Sequence, residues 1–321
     1  MSELKPIGGF FELEVPPLGP GYHPNALALT NGRACIRWIL EREKPLRIYI
    51  PFYTCYALYE PMEKMGIEVI FYSIDEALDP VNLPEPMAGE LLVLVNYFGL
   101  KNRLADHLDQ RFGRRVVIDD TQRFFHRGYQ YAFSFTSARK YFGVPDGAYL
   151  YGADREGQKI DRNMDISVSH NIKRLSGNQS EAYRDYLNYE ESLGDELKMM
   201  SLFSEHLLSG VDYEAVAQRR ISNFNFLHEG LKRYNNLTII PTETEVPFSY
   251  PFLPDCTFDK VYFHKHKIYI PTLWPDVLER DIDGFEQEKD IAQRLLPLPI
   301  DQRYAREDME RIVNFITGMM Q

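Results

Sequence analysis

The stretch Leu91-Leu92-Val93-Leu94-Val95 is apolar throughout, with no polar residue alternating in it. A strand that meets water on one side alternates, whereas an unbroken run marks a strand covered on both faces. Two-sided cover comes from helices packed against either face of a mostly parallel sheet. The flanking sequence repeats the requirement. Gly32–Glu43 reads as a helix, Arg47–Pro51 as a strand, Tyr56–Met65 as a helix and Glu68–Tyr72 as a strand. Lys101–Phe112 then reads as a helix and Arg115–Ile118 as another buried strand. This alternation predicts a three-layer α/β/α large domain with a mostly parallel sheet. Ligands in such sheets collect at the carboxyl ends of the strands, so the residues just after Pro51, Val95 and Ile118 are where chemistry is expected.

The stretch up to Pro24 is rich in Gly and Pro and reads as an extended arm. Ser180–Tyr234 reads as mainly helical, with an apolar rhythm through Met199, Met200, Leu202, Phe203, Leu207 and Leu208. Around Pro241 the pattern changes to short β-like pieces, and Arg306–Met319 closes the chain as a helix. The expected division is an arm and large domain over 1–236, followed by a small C-terminal α+β domain over 237–321. With 321 residues, 44% of them hydrophobic, the chain can fill both cores.

Thirty-six Lys and Arg against 47 Asp and Glu leave a net charge of −11, which argues against a general nucleic-acid binder. Cys35, Cys55 and Cys256 lie far apart without a C-x-x-C pair, so neither a zinc cluster nor a disulfide framework is expected. His264 and His266 alternate as in a strand and read as a solvated edge rather than a metal site. No apolar run reaches the roughly 18 residues of a membrane span, and the opening Met-Ser-Glu-Leu-Lys-Pro lacks a signal-peptide core. A soluble cytoplasmic protein is the expectation.

Three segments carry candidate chemistry. Thr30-Asn31-Gly32-Arg33 opens a helix, where unpaired amides and the dipole favour a phosphate; the alternative is an ordinary helix cap. Ile118-Asp119-Asp120-Thr121-Gln122 places a carboxylate at the ligand edge of the sheet, suited to a ribose, a metal or a protonated ring nitrogen. Asp120 is the expected cap of a following helix. Ser134 through Gly143 sets Lys140 three residues after Ser137 among aromatic side chains, an environment that favours the neutral amine needed for attack on a carbonyl.

The order of these segments is that of fold type I pyridoxal-phosphate enzymes, and the chain resembles the DegT/StrS-type sugar aminotransferases as a short variant. Asn31-Gly32-Arg33-Ala34 resembles the family's phosphate segment, and Ile50-Pro51-Phe52-Tyr53-Thr54 its Val-Pro-x-(Phe/Tyr)-Thr strand end. Val95-Asn96-Tyr97-Phe98-Gly99 is similar to Val-His-x-Tyr-Gly, with Asn96 in place of His. Asp119 and Gln122 fall in register with Glu-Asp-Ala-Ala-Gln, and Ser134 to Lys140 matches Ser-Phe-x-x-x-Lys with one extra residue. Gln218-Arg219-Arg220 lies within a stretch similar to the family's long helix pair.

The resemblance implies that Lys140 holds pyridoxal 5'-phosphate covalently and, once freed, carries the substrate proton. It implies that Asp119 binds the pyridine nitrogen and Gln122 the 3′ oxygen. Asn31, Gly32 and Arg33 with Ser137 and Ser134 would hold the phosphate, and Tyr53 or Tyr56 would stack on the ring. The implied reaction moves an amino group from an amino acid such as glutamate to a keto-sugar, nucleotide-linked, in a homodimer. One departure stands out: Tyr189–Lys198, where the family carries Gly-Tyr-Asn-Tyr-Arg, is acidic. Two other readings stay open, a lyase or dehydratase of the same fold and a catalytically idle sugar- or partner-binding relative.

Overall fold

The computed structural model describes residues 7–154, 159–240 and 244–320. Its central sheet has seven strands: β1 (Leu27–Leu29), β2 (Arg47–Pro51), β3 (Glu68–Tyr72), β4 (Glu90–Val95), β5 (Val116–Asp119), β6 (Phe133–Ser137) and β7 (Ala148–Tyr151). They lie in the order β1-β7-β6-β5-β4-β2-β3. β2 through β6 run parallel, and β7 runs antiparallel to both β6 and β1. Every residue of β4, β5, β6 and β7 is buried, as the unbroken apolar run requires.

Helices α1 (Gly32–Glu43), α2 (Tyr56–Lys64) and α3 (Asn102–Phe112) press Ile36, Ile39, Leu58, Met62 and Leu108 into the sheet core. α1 starts where Asn31 Oδ1 accepts the Ala34 amide at 2.9 Å, and ends at Lys44 in the left-handed conformation. α4 (Ser169–Leu175) and α5 (Gln179–Ser192) pack on each other, followed by α6 (Leu202–Ser209) and α7 (Tyr213–Leu231).

A second core surrounds a two-stranded antiparallel sheet, β8 (Tyr250–Phe252) with β9 (Leu296–Leu298). Phe224, Leu227 and Leu231 of α7 fill it together with Phe263 of α8 (Lys260–Lys265) and Met309, Ile312 and Ile316 of α11 (Arg306–Met319). Short α9 (Asp276–Glu279) and α10 (Glu286–Arg294) complete the chain, and α10 inserts Ile291 and Ala292 into the core of the large sheet. The whole is a mixed α/β domain of the fold type I transferase architecture with a smaller α+β unit.

Three local expectations change. Met199 and Met200 are extended, not helical: Met199 bridges Leu29 and Arg162, and Met200 donates its amide to Ala28 O at 3.1 Å. The open edge of β1 needs hydrogen-bond partners, and this segment supplies them. His264 lies inside α8 with His266 capping it, because Asp259 accepts the Val261 amide at 2.9 Å and Phe263 is buried. At helical spacing the two rings do not share a face. Asp120 caps no helix; its carboxylate accepts Asn96 Nδ2 at 2.8 Å in an irregular segment.

Candidate active site

Asp119 is the last residue of β5, opposite Val95 at the carboxyl edge of the sheet. The Thr121 amide donates to its Oδ1 at 2.9 Å. Burial pushes this carboxyl above its ordinary value, while the Lys140 charge and the Thr121 hydrogen bond pull it back. Gln122, three residues on, accepts the Phe98 amide at Oε1 over 2.6 Å, which leaves its Nε2 as the donor end.

β6 runs parallel to β5, so Ser137 ends at the same edge, and antiparallel β7 then forces the chain to reverse. The reversal begins with a short 3₁₀ turn, Ala138–Lys140, that sends adjacent cations in different directions. Lys140 Nζ donates to Thr121 Oγ1 at 2.8 Å. Arg139 pairs with Glu190 of α5 and lies over the Tyr189 ring. The lysine therefore faces the strand-end acid, and its neighbour does not.

The start of α1 closes the same space. A Cβ built on Gly32 would stand 3.4 Å from the Phe135 ring and 3.8 Å from the Thr121 methyl group, so the helix start packs directly against these two residues. The first-turn amides of Gly32 and Arg33 have no helical acceptor behind them, as an anion site requires. Asn31 Nδ2 donates to Gly194 O at 3.0 Å, so the acidic segment of α5's exit lies over this helix start. The Arg33 side chain turns to Glu60 at 2.8 Å, and the ion pairs continue through Lys64 and Asp195 to Arg37.

Tyr53 is buried, its ring 5.7 Å from Tyr97 and 4.7 Å from Trp274, while Tyr56 is 45% exposed on the outer turn of α2 beside Tyr59. Ser134 lies buried within β6 between Ile118 and Tyr151. The Phe248 ring sits 6.0 Å from Lys140 Nζ. Gly32, Asp119 and Lys140 thus approach Thr121, and the Gln122 side chain is anchored on the Phe98 amide, whereas the Arg33 side chain and Tyr56 are directed elsewhere.

Thr121 follows the strand-end acids directly, but spacing alone assigns its hydroxyl no role. Phe248 comes from a distant part of the chain and carries no local signal. The 299–304 segment is held to both the lysine turn and α7: Gln302 Nε2 donates to Tyr141 O at 2.7 Å, and Asn223 Nδ2 donates to Ile300 O and Tyr304 O, each at 3.1 Å.

No protein-family model matches the sequence, and no curated protein does. Solved structures do match by shape. The sugar aminotransferase CalS13 from Micromonospora echinospora superposes with a TM-score of 0.64 at 15% identity, over 92% of this chain and 88% of that one. DesV from S. venezuelae, solved with a ketimine intermediate, gives 0.64 at 16% identity over 92% and 84%. A DegT DnrJ EryC1 StrS aminotransferase from Brucella abortus gives 0.62 at 15% identity over 92% and 85%. At this identity the likeness establishes a shared fold across nearly the whole chain. Among the described residues no helix is long and apolar enough to cross a membrane.

Proposed function

We propose that this chain is a pyridoxal-phosphate-dependent aminotransferase. In this reading it takes an amino group from an amino acid such as glutamate and delivers it to a nucleotide-linked keto-sugar, working as a cytoplasmic homodimer. The observation that carries the proposal is the direction of Lys140, whose amine meets Thr121 beside the buried Asp119. The donor set fits the cofactor. What supports the fit is an amine bound to Thr121, a strand-end carboxylate bound to the same residue's amide, the amide end of Gln122 one residue further on, and a helix start that approaches the Thr121 methyl group.

When bound, pyridoxal phosphate supplies a carbonyl carbon that condenses with amines and a ring that withdraws electrons from the substrate carbon. The chain's residues do the rest. Asp119 carboxylate would accept the ring N–H, and that positive partner would offset the burial that favours the protonated acid. Gln122 Nε2 would donate to the ring's 3′ oxygen, its Oε1 being anchored on the Phe98 amide. The amides of Gly32 and Arg33 and the Ser137 hydroxyl would hold the phosphate, and Asn31 fixes the helix start from which those amides project. Tyr53, held by Tyr97 and Trp274, would form the aromatic wall. Lys140 Nζ would take and return the substrate proton, and Thr121 Oγ1 is its hydrogen-bond partner in the structure.

Purified protein is expected to absorb in the visible after incubation with pyridoxal phosphate, and borohydride is expected to fix the cofactor on Lys140. Glutamate should then convert the bound cofactor to its amine form. Protein that takes up no cofactor overturns the proposal; uptake without conversion by any amino donor points to lyase chemistry. An idle sugar- or partner-binding relative is favoured by one observation: within the acidic Tyr189–Lys198 stretch, Gly194 and Asp195 are engaged by Asn31, Arg37 and Lys64. Sugar binding by a protein that takes up no cofactor is the result that would establish that reading.

A further inference from the structure

Arg220 lies on α7 at 1% exposure, and no carboxylate among the described residues stands within ion-pair distance of it. Asp301, the acidic neighbour whose charge it feels, is engaged by Arg303 at 2.7 Å. A buried guanidinium without a carboxylate is expensive, so what it binds instead is informative. Its Nε donates to Gln302 Oε1 at 3.2 Å, and one terminal nitrogen donates to Phe248 O at 3.0 Å and Pro247 O at 3.4 Å. Its plane stands 4.4 Å from the centre of the Tyr141 ring. Gln302 completes the circuit by donating to Tyr141 O at 2.7 Å.

Two of these partners border Lys140. Tyr141 is the next residue in the chain, and the Phe248 ring stands 6.0 Å from the lysine nitrogen and 5.9 Å from the Tyr141 ring. The Phe248 amide is itself bound to Phe98 O at 3.0 Å, and Phe98 binds Gln122. One buried cation therefore clamps the main chain that follows the lysine and the wall beside it. We infer that Arg220 is a positioning residue for Lys140, acting through Tyr141, Phe248 and Gln302; this rests on Lys140 being the cofactor-holding amine.

The neighbouring turn of α7 provides the control. Asn223 is equally buried and binds the carbonyls of Ile300, Asp301 and Tyr304, and among the described residues it has no hydrogen bond to Tyr141 or Phe248. The experiment compares the full chain with Arg220→Met, Arg220→Lys and Asn223→Ala. It reads thermal midpoint, rate of pyridoxal phosphate capture, induced circular dichroism of the bound cofactor, and the acetic anhydride labelling rate of Lys140 in cofactor-free protein.

Arg220→Met is expected to slow capture roughly tenfold or more, as a misplacement of about an ångström does. It should also flatten the dichroism and alter Lys140 labelling relative to that of Lys64. Arg220→Lys should fall between, since it keeps the charge and loses the planar fork. Asn223→Ala should lower the midpoint comparably while leaving capture and labelling as in the parent. Equal effects of Arg220→Met and Asn223→Ala on both readouts overturn the inference and leave Arg220 a structural residue. If Arg220→Met does not fold, Gln302→Leu cuts the link to Tyr141, and unchanged labelling there overturns it too. A parent protein that captures no cofactor overturns the proposed function instead, while the labelling comparison still decides the role of Arg220.

Discussion

The amine of Lys140 donates to the hydroxyl of Thr121 at 2.8 Å, joining the turn after β6 to the loop after β5. Thr121 also donates its amide to Asp119 at 2.9 Å, so one residue orders both the proposed covalent amine and the proposed ring partner. Lys140→Ala is expected to fold, because the side chain is only partly buried, and to lose borohydride fixation of cofactor altogether. Arg139→Ala should keep fixation. Thr121→Val should cost no more than about 1.5 kcal/mol and slow fixation without abolishing it. Visible absorbance with peptide mapping of the reduced adduct checks all three, and fixation surviving in Lys140→Ala would assign the role to another lysine.

Asp119→Asn separates stability from function. Burial holds the folded carboxyl above its unfolded value, so between the two values the folded state binds more protons. Stability therefore falls as pH rises through that window and stays lower above it. The amide carries no charge to bury. At neutral pH and without cofactor the variant is expected to melt no lower than the parent, with the difference shrinking below the window, while cofactor affinity drops. Melting curves across pH, with and without pyridoxal phosphate, provide the check.

His23 has the opposite sign. It is buried in an aromatic cluster, its Nδ1 shares a 2.7 Å hydrogen bond with Tyr151 OH, and its Nε2 has no partner among the described residues. Burial, with Arg127 next, lowers its value from 6.5 to about 3. The unfolded chain thus takes the proton first as pH falls, and stability declines from about pH 6.5 toward pH 3, by at most roughly 1.4 kcal/mol per pH unit. His23→Gln should flatten that part of the acid-unfolding profile.

At Gly230, α7 packs tightly against Val313 of α11. A Cβ there would lie 2.7 Å from Val313 Cγ1 and 2.8 Å from Cγ2. Replacing a helical glycine by alanine gains up to about 1 kcal/mol of helix propensity, whereas overpacking costs about 1–3 kcal/mol, so the clash wins. Gly230→Ala is expected to lower stability and Val313→Ala to rescue it. A denaturation cycle over the two positions should show coupling of opposite sign to the single effects.

Much of this architecture was legible in order along the chain, because strands buried on both faces need long apolar runs and parallel pairing needs helical crossovers. Leu91–Val95 and Val116–Ile118 announced themselves in this way. Asp119 and Gln122 were legible because a strand end fixes which edge they occupy. Two of the misreadings share one cause, which is that a short periodic pattern carries no information about its partner. Met199 and Met200 match helical spacing but serve the edge of β1, and His264 and His266 match a strand but follow the Asp259 cap. Thr121, Phe248 and Arg220 were hidden for a related reason, since their roles exist only once distant segments meet.

The three residues of β1 do more than close the sheet. Leu29 pairs with Ala148, and the Gly147 amide donates to Thr30 O at 2.6 Å, directly before the Asn31 cap. Chain positions more than a hundred residues apart are thereby held at a set spacing, the helix start at one end and the lysine turn at the other. The pairing of β1 with β7 acts as a ruler between these two ends, and in the proposed function its length would have to suit a cofactor held at both. Insertions in the loops beyond this ruler leave it intact, whereas a one-residue insertion between Ser137 and Gly147 changes the measurement itself.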